Sequence, residues 1–239
     1  MVLGHNAIVT DLLRVLDASD HTVIALDDGK ANALSLAMLQ AIDAAVDVAV
    51  ARRRPVVVAG RPGVLSGGFD LKVMTGDDPD ARTAMVFTGF EVAYKLLSAP
   101  VPVVFACTGH AIAMGVFLLC SGDVNVGAAG DFRIGANETA LGIVMPEFGI
   151  EITRGRLTPA AFSRALLISE FFGPDAARDA GFLDEVVAPD EVVARAVARA
   201  EQLATFDPDV YATTKQRVRG PACAAVRAAI DGDALLRGP

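Results

Sequence analysis

Leu65-Ser66-Gly67-Gly68-Phe69-Asp70-Leu71-Lys72 comes a few residues after Val56-Val57-Val58-Ala59-Gly60, and this junction decides how the chain reads. The β-branched run has the length and composition of a buried parallel strand. The glycine-rich stretch from Arg61 to Asp70 interrupts regular structure, and a helical pattern resumes from about Ala81 to Ser98. The same grammar recurs downstream. An apolar strand at Val101–Cys107 leads into Thr108-Gly109-His110-Ala111-Ile112-Ala113-Met114-Gly115, and an apolar helix follows to about Ser121.

Each glycine-bearing loop thus sits between a strand and a helix. Such loops leave backbone N–H groups unpaired at a helix start, where the dipole favours negative charge. Two of them converging would hold a phosphate or an oxyanion; two ordinary strand-to-helix turns would look the same. Neither matches GxGxxG or a P-loop.

Upstream, Leu12–Leu16 and His21–Leu26 read as strands joined by Asp17-Ala18-Ser19-Asp20. Ser35 is the expected cap of a helix whose apolar positions are Leu36, Leu39, Ile42, Val46 and Val50. Short strands are expected around Asp123–Val126 and Asp131–Ile134. From Pro159 the chain is mainly helical, with a strand-like interruption at Phe182–Val187. Strands alternating with helices give an α/β class.

Composition narrows the function. With 239 residues and 53% hydrophobic content there is material for one large core and a helical appendage. A net charge of −8 argues against nucleic acid. Lys30, Arg52, Arg53, Arg54, Arg61 and Lys72 still allow a local basic patch for a small anion, although solvated surface charge looks alike. Cys107, Cys120 and Cys223 form no CxxC pair, and His5, His21 and His110 show no ligand spacing. No metal is expected. No apolar run has the length of a membrane span, and the cytoplasm is the expected location.

The order of letters is more specific than the physics. Leu65–Lys72 resembles the segment F-x-A-G-x-D-L of the crotonase superfamily, the enoyl-CoA hydratase/isomerase family. Asp27-Asp28-Gly29-Lys30-Ala31-Asn32-Ala33-Leu34-Ser35 is similar to its R-P-x-x-x-N-A-L, and Gly109–Gly115 stands in place of G-x-A-x-G-G-G. Ala176–Val187 is similar to A-x-x-x-G-L-V-x-x-V. The resemblance covers about residues 20–217, in the family's order and spacing.

The resemblance implies an α/β fold of the crotonase type. Repeated strand-strand-helix units would wind as a spiral core over residues 1–189, followed by a helical oligomerisation segment over 190–239. Val192, Val193, Ala196, Val197, Ala200, Leu203 and Ala204 suit a face against a neighbouring subunit and equally packing on the chain's own core. The implied partners are an acyl-CoA thioester and further copies of the chain, as a homotrimer or dimer of trimers. CoA would be part of the substrate, and no cofactor, metal or membrane is required.

It also implies roles. The backbone N–H groups of Phe69 and Met114 would hold the thioester oxygen as it gains charge, an arrangement worth roughly 3–4 kcal/mol per donor. Lys30, Ala31, Gly67, Gly68, Asp70, Leu71 and Lys72 would lie along the CoA. Met114 departs from the family's usual glycine. Typical hydratases in the family use two glutamates. Here Phe117 fills the first position, and Glu138, in Ile134-Gly135-Ala136-Asn137-Glu138-Thr139-Ala140-Leu141-Gly142-Ile143, fills the second. One glutamate beside an apolar residue is similar to the 3-enoyl-CoA to 2-enoyl-CoA isomerases. Isomerisation needs one base to move a proton from C2 to C4, whereas hydration must also position and split a water. An apolar wall at Phe117 would raise the pKa of Glu138.

Alternatives stay open at this point. Asn137-Glu138-Thr139 also reads as a capped, solvated turn, or formally as a glycosylation sequon. A hydratase using Glu138 alone and a non-catalytic acyl-CoA binder both fit the same letters. Ser66, His110 and Asp123 supply the residue types of a serine hydrolase but lack its G-x-S-x-G elbow. Met85, Val86, Phe87 and Phe90 suggest either a fatty-acyl surface or a core helix.

Overall fold

The computed structural model describes residues 8–233, with side chains from Thr10 onward. His5 and the outer bounds of the two expected segments lie outside the described residues. Strands β1 (Ile8–Val9), β2 (Leu13–Asp17) and β3 (Thr22–Leu26) open the chain as an antiparallel meander. Helix α1 (Leu36–Ala51) then starts where expected, with the Ser35 hydroxyl accepting the Met38 N–H at 3.2 Å. Its inner face, Met38, Leu39, Ile42 and Val46, is fully buried, each side chain contributing roughly 1.5–3 kcal/mol.

From here the chain repeats one unit. Strand β4 (Val56–Ala59) is followed by β5 (Gly63–Ser66), short α2 (Leu71–Met74) and long α3 (Pro79–Ser98). Strand β6 (Val103–Cys107) is followed by β7 (Gly109–Ile112) and α4 (Met114–Cys120). Strand β8 (Val124–Ala128) is followed by β9 (Ile134–Gly135), a 3-10 turn at Thr139–Leu141 and α5 (Glu147–Arg154). The first strand of each unit joins a large sheet of order β1-β2-β3-β4-β6-β8-β10, and the second joins a small parallel sheet of order β5-β7-β9. This is the expected spiral of strand-strand-helix units. β5 and β7 lie inside the stretches that the sequence presents only as glycine-bearing loops. They are four residues each, too short and too rich in small residues to show alternation.

Helices α6 (Pro159–Leu167) and α7 (Pro174–Ala180), strand β10 (Glu185–Val187), α8 (Val192–Ala204) and α9 (Pro208–Gly232) complete the chain. Helix α8 lays Val192, Ala196 and Ala200 on the large sheet, against Val57, Val104 and Val126. Of the periodic positions read from the sequence, these three are therefore occupied by the chain's own core. Helix α9 packs on α3 and α5. It is anchored by Lys215, whose ammonium lies 2.7 Å from Asp123 Oδ2 and 3.1 Å from the Val101 carbonyl oxygen. Arg219 reaches the other Asp123 oxygen at 3.1 Å. Burial pushes the Lys215 pKa down, partly offset by the Asp123 carboxylate.

Candidate functional site

Two buried ties set the first loop. Asn32 is fully buried with φ +48°, a left-handed conformation that asparagine tolerates better than most side chains. Its amide nitrogen donates to the Leu26 and Leu65 carbonyls at 3.2 and 3.1 Å, and its Oδ1 accepts the Asp28 N–H at 3.1 Å. The Ser66 hydroxyl donates to the Asn32 carbonyl at 2.7 Å and accepts the Gly68 N–H at 3.1 Å. The Gly68 carbonyl in turn accepts the Leu34 N–H at 2.8 Å. The segment Asp28–Leu34 thus clamps the loop that presents Phe69.

The second loop closes against the first. Gly68 has φ +95°, and a Cβ there would lie 3.0 Å from the Ile112 carbonyl oxygen and 3.6 Å from the Met114 nitrogen. A Cβ at Gly115 would meet the Ser66 carbonyl oxygen at 2.6 Å. These contacts bring Phe69 and Met114 side by side. Among the described residues, neither the Phe69 N–H nor the Met114 N–H donates to a protein acceptor. Met114 is the first residue of α4, where the helix leaves its N–H groups without partners. Ala113, which caps α4, has φ +52° and ψ −126°. For a residue with a Cβ such a conformation costs on the order of 1–3 kcal/mol, and it turns the chain sharply into the helix.

Behind the two N–H groups is an aromatic wall. The Phe69 ring lies on Gly89 of α3, where a Cβ would be 2.6 Å from its Cε1 and 3.6 Å from the Met114 methyl. Phe90 stacks on Phe148 with centroids 4.1 Å apart, and Phe117 meets Phe148 edge-on at 6.0 Å. Phe117, one turn beyond Met114, is 2% exposed. Met85 and Phe90 are core residues, while Phe87 faces outward. The stretch that suggested a fatty-acyl surface is therefore mostly core.

Strand β9 runs beside the second loop and leads the chain on to Glu138. The Ala113 N–H donates to the Gly135 carbonyl at 3.1 Å. Glu138 is three residues further on, no more than about 11 Å of extended chain. Met145, after the 3-10 turn, returns to within 3.2 Å of a Cβ built on Gly149, as does the Phe117 ring edge. One carboxylate oxygen of Glu138, Oε2, is buried without a protein partner. Desolvation raises the Glu138 pKa, against a smaller lowering by the N–H groups of Glu138 and Asn137. The solvated-turn reading of this glutamate does not fit such burial.

The remaining residues form an exposed rim. The Gly67 N–H donates to the Ala31 carbonyl at 2.8 Å, and both residues are exposed, as are Lys30 and Lys72. Asp70 caps α2, its carboxylate accepting the Lys72 N–H at 2.9 Å, and Leu71 is 74% exposed. A basic and apolar rim therefore borders the loop. The serine-hydrolase constellation does not assemble: Ser66 is committed to Asn32 and Gly68, His110 Nδ1 accepts the Arg133 N–H, and Asp123 is paired with Lys215 and Arg219. Among the described residues no helix is long and apolar enough to cross a membrane.

The structural roles of Asn32, Ser66 and Ala113 were not read from the sequence, where Ser66 stood only as a hydrolase candidate. Asn32 and Ser66 stand inside the quoted segments, and an Asn before an apolar helix start was the available signal. Nothing local marks Ala113. Sequence spacing also missed the meeting of Asp20, His21 and Glu201, whose ligand atoms lie within 4.8 Å of one another.

Comparison with known proteins agrees with the fold. Residues 19–237 match the family described as enoyl-CoA hydratase/isomerase. The mitochondrial enoyl-CoA delta isomerase 1 of Homo sapiens is 28% identical over 168 residues, covering 70% of this chain and 56% of that protein. The chain thus matches little more than half the length of this relative. Among solved structures, the probable enoyl-CoA hydratase EchA3 of Mycobacterium tuberculosis is 45% identical, with a TM-score of 0.90 over 93% of this chain and 94% of that one. A second, apo structure of that same Mycobacterium tuberculosis protein, described there as an enoyl-CoA isomerase, gives 45% identity and a TM-score of 0.88 over 93% and 97%.

Proposed function

Because the chain belongs to the enoyl-CoA hydratase/isomerase family, we propose that it shifts the double bond of a 3-enoyl-CoA to give the 2-enoyl-CoA, with Glu138 as the only base. The observation that carries this reading is the Glu138 carboxylate, one of whose oxygens is buried without a protein partner, together with Phe117 where a second acid would stand. In this scheme the thioester carbonyl accepts hydrogen bonds from the Phe69 and Met114 N–H groups. Glu138 removes a proton from C2, and the C–H electron pair moves into the carbonyl to form the enolate. As the enolate collapses, C2 and C3 become doubly bonded, the former C3–C4 double bond opens, and Glu138 returns the proton to C4. Stabilisation of the enolate oxygen by pre-aimed donors supplies most of the acceleration. The raised Glu138 pKa brings the base closer to that of the acidified C2–H.

The exposed residues Lys30, Ala31, Gly67, Leu71 and Lys72 would carry the CoA moiety, with Gly68 and Asp70 shaping the loop. Localisation in the cytoplasm, the two-segment division at residue 190 and assembly as a homotrimer or dimer of trimers belong to the same proposal. Light scattering on the purified chain tests the assembly.

The decisive assay offers 3-enoyl-CoA and 2-enoyl-CoA separately to the protein and to Glu138→Gln. Conjugated 2-enoyl product from the first substrate, lost in the variant, is the expected result. Formation of 3-hydroxyacyl-CoA from the second at a comparable or greater rate would make the protein a hydratase; the similar Mycobacterium tuberculosis protein is described under both names. Acyl-CoA binding without turnover of either would leave a non-catalytic binder.

A further inference from the structure

Resting on that reading, we propose that the acyl tail leaves Glu138 along an open apolar cleft between residues 139–145, α5 and α6, so that the substrates are medium- and long-chain enoyl-CoA thioesters. The cleft has a volume of about 530 Å³ and is walled by Ile143, Met145, Ile150, Phe162, Leu166 and Leu167. Among the described residues no charged side chain lines it. Its two hydroxyls are already committed, Thr139 to the Leu166 carbonyl at 2.8 Å and Ser163 to the Pro159 carbonyl at 3.4 Å. Such a lining offers a ligand burial without a polar anchor, which suits a hydrocarbon chain.

The cleft shares its walls with the site at two points. Ile143, on one side, donates its N–H to the Glu138 carbonyl at 2.9 Å. Met145, on the other, brings its sulfur to 3.2 Å from a Cβ built on Gly149, and the Phe117 ring comes to 2.8 Å from the same point. Phe117 is in turn one turn of α4 beyond Met114. A chain whose C4 receives its proton from Glu138 therefore starts beside the residues that open the cleft. Inward, the volume is filled by the close-packed Phe90, Phe117 and Phe148 rings. Outward, the lips are apolar: Val144 is 86% and Leu167 71% exposed, and their chain neighbours Leu141 and Ile168 are exposed as well. Met145, unbranched and adaptable, stands at the inner end, where its thioether can change rotamer as a tail passes.

The test uses saturated thioesters, which have no double bond to shift. Calorimetry with butanoyl-, hexanoyl-, octanoyl- and decanoyl-CoA gives affinity against chain length. A fully buried methylene tightens binding about fourfold, and a groove open on one side covers about half of it, so about twofold per methylene is expected. From butanoyl- to decanoyl-CoA that amounts to about 60-fold. Ile143→Asn places an amide against the tail and should cut the decanoyl-to-butanoyl affinity ratio about tenfold. Leu167→Gln, at an exposed position, serves the same purpose if Ile143→Asn does not fold. A flat length profile in the parent, or a folded variant with an unchanged ratio, would overturn the inference while leaving the isomerase reading intact. So would a variant that keeps the ratio but changes the light-scattering mass, since the cleft would then seat a second copy of the chain. Tightening with chain length in a protein that turns over neither enoyl-CoA would sustain the cleft and overturn the isomerase reading. No binding of any acyl-CoA would overturn both.

Discussion

From Leu65 to Phe69 the chain is tied at almost every step: Leu65 to Asn32, Ser66 to Asn32 and Gly68, Gly67 to Ala31, and Gly68 to Leu34. The segment after Glu138 is held far more lightly. Thr139–Val144 are all exposed, anchored by the Thr139 hydroxyl on the Leu166 carbonyl at 2.8 Å and the Ala140 N–H on the Ser169 hydroxyl at 3.0 Å. The contrast suits the two tasks that the proposed isomerisation sets. Donors aimed at a developing oxyanion lose their advantage if they must reorganise. A base that collects a proton at one carbon and delivers it at another has to follow the substrate.

The comparison breaks most sharply at Glu138. Glu138→Gln should lower kcat by on the order of 10³-fold, within the range for a lost general base, with far-UV circular dichroism unchanged. A residual rate within tenfold of the parent would move the base elsewhere.

On the tied side the largest effect is expected at Asn32. Asn32→Ala strands the Leu26 and Leu65 carbonyls and places alanine at φ +48°. A loss of about 3 kcal/mol in urea unfolding is expected, with kcat falling further than KM rises. A loss below about 1 kcal/mol would mean the clamp is not what holds the loop.

Glycine at Ala113 should act in the opposite direction. Ala113→Gly relieves the φ +52° strain and should raise stability by about 1 kcal/mol, net of the greater chain entropy of glycine. If the stability falls instead, the alanine conformation is not strained. The smallest effect is expected on the loosely held side, where Thr139→Val should cost about 0.5–1 kcal/mol.

Burial of Glu138 adds a pH signature. Its folded pKa lies above the ordinary glutamate value, so the folded state holds a proton that the unfolded chain has released. Stability should therefore decline as pH rises between the ordinary value and the raised one, and that slope should vanish in Glu138→Gln. Activity should follow the other limb, falling as pH drops through the raised value because the base must be ionised. An acid limb at the ordinary glutamate position would contradict the burial.

Helix α1 with its Ser35 cap, strand β4 and the order of elements were legible because capping and periodicity are local. Of the small sheet only β9 was, expected at Asp131–Ile134 and found at Ile134–Gly135; β5 and β7 were not, being short and glycine-bearing. Only in the fold do they acquire partners.

By itself the sequence determined the family, through four motifs in register, and the absence of a second acid, through Phe117. Chemical identity at a position is complete in one letter. Only the tertiary structure decided that the Phe69 and Met114 N–H groups stand together, that Asn32 clamps one loop, that Glu138 is desolvated and that aromatic rings close the space behind them. Each of these depends on groups far apart in the chain excluding water from one another, and no local pattern of letters encodes that exclusion.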